Sequence, residues 1–272
     1  MFTYEDFIIQ LNNKIKNDEE FYYELLKTVI SNPNRYTGIF RISNVKTKLI
    51  QNVTQSREIK FGDFMEYIVT QYIAAMGYVN LDKNIGQDKF GDYLSADQVF
   101  RNNEIVFLIE QKIRDDHDST KKRGQYQNFQ KKYSLLSRRY PNNRIIACMW
   151  FIDPSLVKNR NYYLTEASNE HLSNVNLYIY YGGELFSNLF QREDIWNEIC
   201  EHLVRNKLER SDDILSIPDF DTSDEFFDAL KRLFIVERNL SKKLISDKPE
   251  YIQLRNELFP TGYNFKRLGL MR

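Results

Sequence analysis

A mixed α/β fold is predicted by three features of the sequence. Phe64, Met65, Ile68, Val69, Tyr72 and Met76 recur at helical spacing and place one apolar face on a helix from Gly62 to Met76. Ile105-Val106-Phe107-Leu108-Ile109 is apolar at every position, as a strand covered on both faces of a sheet requires. A helix from about Gly124 to Tyr140, with Phe129, Tyr133, Leu136 and Tyr140 at helical spacing, is followed by the apolar strands Arg144–Ile152 and Val175–Tyr181.

The elements are expected in the order helix, two short strands (Leu94–Phe100 and Glu104–Lys112), helix, strand, strand. They make residues 61–190 a core in which helices flank a mixed central sheet. Residues 1–60 form a helical and basic N-terminal segment. It opens with Phe7, Ile8, Leu11 and Ile15, then Phe21, Tyr22, Leu25 and Leu26, and continues through Asn34 to Lys60. This last stretch carries Arg35, Arg41, Lys46, Lys48, Arg57 and Lys60 against Glu58 alone. Two readings stand for it: phosphate and groove contacts, or a solvated loop with strand fragments. Residues 191–272 are mainly helical, a region for dimerisation or DNA contact. They enclose an acidic connector from Glu209 to Asp228 around Pro218.

The 272 residues balance Lys+Arg 38 against Asp+Glu 38, so global charge carries no sign of a polyanionic partner. A hydrophobic share of 42% supports a sizeable core. Cys148 and Cys200 lie far apart and suit a reducing compartment. The acidic start Met1-Phe2-Thr3-Tyr4-Glu5-Asp6 lacks a signal-peptide pattern, and no apolar run is long enough for a membrane span, so a cytoplasmic protein is expected. His117, His171 and His202 have no zinc-like spacing.

The chemistry lies in two carboxylates and a lysine. Arg101-Asn102-Asn103-Glu104 favours a hairpin, because asparagine tolerates the positive φ of tight turns. With Asn102-Asn103 as a two-residue loop, Arg101 pairs with Glu104 and Asp97 with Leu108. Leu108, Glu110 and Lys112 share a face by the two-residue period, so Asp97 joins them. Glu110 is then its diagonal neighbour, with backbones about 7–8 Å apart. A four-residue loop keeps this parity and a three-residue loop breaks it. Charges at the end of a buried strand are costly unless paired or bound to metal. A shared metal and a simple rim ion pair both satisfy that condition. Glu58-Ile59-Lys60, the other Glu-x-Lys, follows a polar segment and has no aspartate from Glu19 through Arg57 to serve it, so it is set aside.

Ser95-Ala96-Asp97 followed by Glu110-Gln111-Lys112 resembles the motif of the PD-(D/E)XK nuclease superfamily, with Ala96 in place of the usual proline. The element order over roughly the central 120 residues is similar to that superfamily's core, and the length and helical extensions are most similar to small type II restriction endonucleases. The resemblance implies Mg²⁺ held by Asp97, Glu110 and the backbone carbonyl of Gln111, with Lys112 near the attacking water. Glu66, on the preceding helix, is a further metal-linked candidate, or a solvated glutamate at the helix edge. The implied activity is Mg²⁺-dependent, sequence-specific cleavage of double-stranded DNA by a homodimer, alongside a cognate DNA methyltransferase. A structure-specific repair or recombination nuclease of the same fold and a non-catalytic nucleic-acid-binding protein are the rival readings.

From Lys112 to Arg144 ten basic residues face three acidic ones, a local balance of +7 with histidine neutral. Lys121, Lys122, Arg123, Gln127 and Lys131 are the expected DNA contacts there, with Arg35, Arg41 and Lys46 in the N-terminal segment. An ordinary exposed basic helix has the same composition. Ser119 and Thr120 are candidate caps for the helix that follows.

Overall fold

The computed structural model describes residues 1–15, 19–88, 90–170, 172–210 and 217–270, so His171 and part of the acidic connector lie outside the described residues. The elements in chain order are α1 (Tyr4–Ile15), α2 (Glu19–Ser31), α3 (Pro33–Thr37), α4 (Val45–Ala75), β1 (Val79–Asn80), β2 (Asn84–Gln87), β3 (Tyr93–Ser95), β4 (Gln98–Arg101) and β5 (Ile105–Lys112). They continue with α5 (Ser119–Arg139), β6 (Arg144–Phe151), α6 (Arg160–Ser168), β7 (Val175–Tyr181), a π-helical turn Leu185–Phe190, and α7 (Glu193–Glu209). The last four helices are α8 (Asp224–Val236), α9 (Arg238–Leu244), α10 (Pro249–Leu258) and α11 (Tyr263–Arg267). No helix among the described residues is long and apolar enough to cross a membrane.

The chain divides into two compact units, Met1–Leu11 with Gly62–Ser211, and Asn12–Phe61 with Asp212–Arg272. The region read from sequence as one C-terminal piece, 191–272, is thus shared between the two.

The first unit holds a five-stranded mixed sheet in the order β1-β4-β5-β6-β7. The β4–β5 pair is antiparallel, while β5, β6 and β7 run parallel. Parallel neighbours need crossovers, and α5 and α6 supply them. α5 lays Tyr126, Phe129, Tyr133 and Leu136 over Val106, Leu108, Ala147 and Met149. β5 is buried along almost its whole length, as its apolar run requires.

Three expectations are corrected here. The strand expected over Leu94–Phe100 is broken: β3 pairs with β2 in a separate two-stranded ribbon, and β4 starts only at Gln98. The Ala96 N–H donates to the Lys83 carbonyl at 2.9 Å, so the chain changes sheets at Ala96-Asp97. The hairpin loop has four residues, and Arg101 pairs with Val106. Asn102 Oδ1 accepts from the N–H groups of both Glu104 and Ile105, which lengthens the turn. Finally, α4 begins at Val45 instead of Gly62. Val45, Leu49 and Val53 recur every four residues and are buried, but the Asn, Gln, Ser and Thr between them conceal the period.

In the second unit α2, α8, α9 and α10 enclose Val29, Ile30, Leu230, Leu233, Leu244 and Leu254. Ser223 caps α8 by accepting from Phe226 N–H. Glu58-Ile59-Lys60 lies within α4 and so on a helix, not on a strand.

Candidate active site

Asp97 sits in the step between β3 and β4, outside the paired stretch of either strand. Continuing the Gln98↔Ile109 register places it opposite Glu110, one pairing step nearer than the two-residue loop implied. Asp97 Oδ2 accepts from the Gln111 backbone N–H at 2.6 Å, which ties the two strand ends together. Glu110 and Lys112 project from the last residues of β5, on the face that α5 covers.

The Lys112 ammonium gathers the oxygens. Its Nζ lies 2.6 Å from Glu110 Oε1, 3.0 Å from the Gln111 carbonyl oxygen and 3.5 Å from Asp97 Oδ2. One cation therefore faces two carboxylates and a carbonyl. Those are the three groups that the motif resemblance assigns to a divalent ion. An ammonium is a compact positive charge, and here it draws the three oxygens to one point. The donor set is all oxygen, which suits a hard divalent cation and not zinc or copper.

The charges in this cluster act on one another. Burial, and then the facing Glu110, pushes the Asp97 carboxyl above the usual aspartate range. Burial acts to lower Lys112, but the Glu110 and Asp97 carboxylates more than offset it and hold the ammonium above its ordinary value.

The structure adds a residue that the sequence reading counted only as part of the basic stripe. Lys132 of α5 is buried, and its Nζ lies 2.5 Å from Glu110 Oε2. Glu110 thus has one lysine on each oxygen, and a nearly buried carboxylate is neutralised at both ends. Its place was visible in the sequence. Lys132 follows Phe129 by three and precedes Leu136 by four, so it falls on the apolar face of α5. Lys132→Met is expected to lower stability by about 3 kcal/mol, the scale for removing one partner of a buried ion pair. Urea unfolding checks this, with Lys121→Met as an exposed control expected to change little; equal midpoints for the two variants would refute the pairing.

Glu66 is placed beside this cluster without joining it. Its carboxylate pairs with Lys83 at 2.5 Å. Its backbone carbonyl accepts from Gln98 Nε2 at 2.7 Å, which pins α4 to the start of β4. Asp115 is structural: it is fully buried and takes bonds from Asn159 N–H, Asn159 Nδ2 and Tyr181 Oη. These bonds fix the exit of β5 to the start of α6.

The basic stripe is divided by the fold. α5 begins at Ser119, and its cap is Asp118, whose Oδ1 accepts from Lys121 N–H at 2.8 Å, so the expected caps Ser119 and Thr120 fall inside the helix. Lys121, Arg123 and Gln127 are exposed, while Lys122 is half-buried over the Tyr162 ring. Lys131 is exposed but pairs with Asp88 at 3.0 Å. Arg35, Arg41 and Lys46 are exposed in the second unit.

A comparison with curated proteins finds no match. The family model described as "Type II restriction endonuclease, HinfI" matches residues 3–88 and 79–206, two overlapping stretches. Together they run from the N-terminal helix into α7 and include Asp97, Glu110 and Lys112. The mixed five-stranded sheet flanked by helices agrees with a restriction endonuclease core. With most of its 272 residues matched, the chain belongs to the HinfI family of type II restriction endonucleases and is a site-specific deoxyribonuclease.

Proposed function

We propose that the enzyme cuts both strands of duplex DNA by Mg²⁺-dependent hydrolysis, with Asp97, Glu110 and Lys112 as its catalytic groups. The observation that carries this is the convergence of Asp97, Glu110 and the Gln111 carbonyl on a single cation at the sheet end. These three groups would hold the Mg²⁺, and when bound it polarises the phosphoryl oxygen and activates water. Lys132 on Glu110 Oε2 and Lys112 on Oε1 fix this carboxylate at the sheet end. Lys112, protonated, orients the attacking water by hydrogen bonding and offsets charge developing on the phosphate. Glu66, held by Lys83 at rest, is a reserve carboxylate at the margin of the site.

The exposed side of α5, with Lys121, Lys122, Arg123, Gln127 and Lys131, takes the phosphate backbone. Arg35, Arg41 and Lys46 form a second DNA-contacting group. Two symmetric sites in a homodimer serve the two strands, with residues 191–272 a candidate for the interface. A cognate DNA methyltransferase protects the same sequence in the host, and a methyltransferase reading frame beside the gene would support that pairing.

Digestion of a mapped DNA with purified protein and Mg²⁺ tests the proposal. Discrete fragments that vanish with a chelator are expected; no cleavage, or a structureless smear, refutes it. The DNA face has its own test. Replacing Lys121, Lys122 and Arg123 together by alanine should flatten the plot of log affinity against log salt by up to about 3 units of slope, roughly one for each phosphate no longer neutralised. An unchanged slope moves the backbone contacts to Arg35, Arg41 and Lys46.

A further inference from the structure

In the second unit a short ordered turn displays large apolar side chains. Between α3 and α4 the Arg41 N–H donates to the Gly38 carbonyl at 2.9 Å, closing a β-turn whose two central residues are Ile39 and Phe40. Ile39 is 86% exposed, Phe40 93% and the following Ile42 106%. Scattered exposed apolar residues need no explanation, but three within four positions at the tip of one turn do.

The turn is firmly based. Tyr36 and Pro33 of α3 are buried, and Tyr36 Oη accepts from Asn52 Nδ2. Gln253 Nε2 of α10 donates to the Thr37 carbonyl at 2.8 Å. On the far side Asn44 Oδ1 accepts from Thr47 N–H at 2.8 Å and so caps α4. Gly38 is needed for close approach: a Cβ there would lie 2.4 Å from the Asn34 carbonyl oxygen. Rigid anchors thus hold Ile39 and Phe40 out into solvent.

The chemistry around the tip selects the partner. No acidic residue occurs between Glu24 and Glu58, a stretch that carries Lys27, Arg35, Arg41, Lys46, Lys48 and Arg57. Asn32, Asn34, Arg35 and Arg41 line a cleft on one flank of the turn. On the other flank Glu250 of α10 is, among the described residues, the one carboxylate lining the groove beside Phe40 and Arg41. Arginine and asparagine are the side chains that bind phosphates and base edges. A second copy of the chain suits this tip poorly, because two-fold symmetry would bring Arg35 and Arg41 towards their own mates.

We propose that the Gly38–Arg41 turn is a DNA wedge. Phe40, supported by Ile39 and Ile42, enters a groove of the duplex and presses between base steps, while Arg35 and Arg41 hold the adjoining phosphates. This rests on the reading of the chain as a duplex DNA endonuclease and adds to it a device for local distortion of the substrate.

The test uses the full chain and a duplex bearing the sequence at which the wild type cuts. 2-Aminopurine replaces one base at successive steps, and Ca²⁺ replaces Mg²⁺ so that binding is observed without cleavage. Wild-type binding should raise the fluorescence at one step, reporting a base that has come out of its stack. Phe40→Ala should abolish that rise and weaken binding by about tenfold or more, the scale for removing one aromatic ring stacked on a base. Its salt slope should stay unchanged, since no charge is removed. Its melting temperature should also stay unchanged, since the Phe40 side chain is 93% exposed. Ile39→Ser with Ile42→Ser should give a smaller loss of the same kind. If the wild type cuts the duplex and Phe40→Ala binds and distorts it equally well, the wedge is wrong while the endonuclease reading survives. If Phe40→Ala instead shifts the sedimentation of the free protein and leaves DNA affinity intact, the turn is a protein interface and the wedge is again wrong. A wild type that neither binds nor cuts any duplex removes the endonuclease reading itself.

Discussion

Asp97→Asn should reduce single-turnover cleavage by on the order of a thousandfold while the protein stays folded. Charge stabilisation by a bound metal contributes several kcal/mol to phosphodiester hydrolysis, and each 1.36 kcal/mol is a factor of ten. On the proposed role of Asp97 as a metal ligand, weakening the site therefore removes orders of magnitude. The asparagine carbonyl can still accept the Gln111 N–H, so the tie between the strand ends survives the substitution. Glu110→Gln should lose as much activity and also some stability, because the buried Lys132 loses its charged partner and Lys112 keeps only Asp97 of its two carboxylates. Comparing the two variants separates chemistry from fold. Single-turnover assays in Mg²⁺, paired with thermal melts, make the measurement, and Glu58→Gln on α4 serves as the control that should retain chemistry. A folded Asp97→Asn enzyme that cuts at near the wild-type rate would remove Asp97 from the site.

The parts of this site legible in sequence were those governed by burial. An unbroken apolar run that ends in Glu110-Gln111-Lys112 can only be a covered strand whose last residues reach a polar place, and β5 is that strand. Parity then put Asp97 on the right face even though the loop length was misread, since two- and four-residue loops share it. Less was legible where side chains substitute for backbone partners. The double acceptance by Asn102 Oδ1 lengthened the hairpin loop, and the diversion of the Ala96 N–H to Lys83 split one expected strand into two. Neither leaves a mark in hydropathy. The start of α4 was hidden by polar residues between widely spaced apolar ones. Lys132 was hidden by its company, because a lysine among ten basic residues reads as surface until its helical position is compared with Phe129 and Leu136. The exposed tip at Ile39, Phe40 and Ile42 escaped for a related reason. Its apolar residues follow no period, and only the fold shows that they stand exposed among the described residues.

Lys112→Ala should separate catalysis from metal binding. In the arrangement seen here the Lys112 ammonium occupies the meeting point of Glu110 Oε1, the Gln111 carbonyl and Asp97 Oδ2, so it competes with any divalent ion for those oxygens. Removing it leaves two carboxylates with one cation fewer, Lys132 alone remaining, on Glu110 Oε2. Ca²⁺, a non-catalytic substitute for Mg²⁺, should then bind the Lys112→Ala enzyme with DNA at least as tightly as it binds the wild type. Cleavage should nevertheless fall by roughly 10²–10³-fold, the scale for losing one group that offsets charge in the transition state. Lys112→Arg should not restore it fully, because a planar guanidinium cannot reproduce a compact ammonium among three crowded oxygens. Glu110→Gln should lose both Ca²⁺ binding and activity. Calorimetric titration of Ca²⁺ into each variant with duplex DNA, beside cleavage rates in Mg²⁺, distinguishes these outcomes. If Lys112→Ala loses Ca²⁺ as completely as Glu110→Gln, the lysine is part of the metal-holding framework and the division of roles fails. If it keeps full activity, Lys112 is only an ion-pair partner at the strand end.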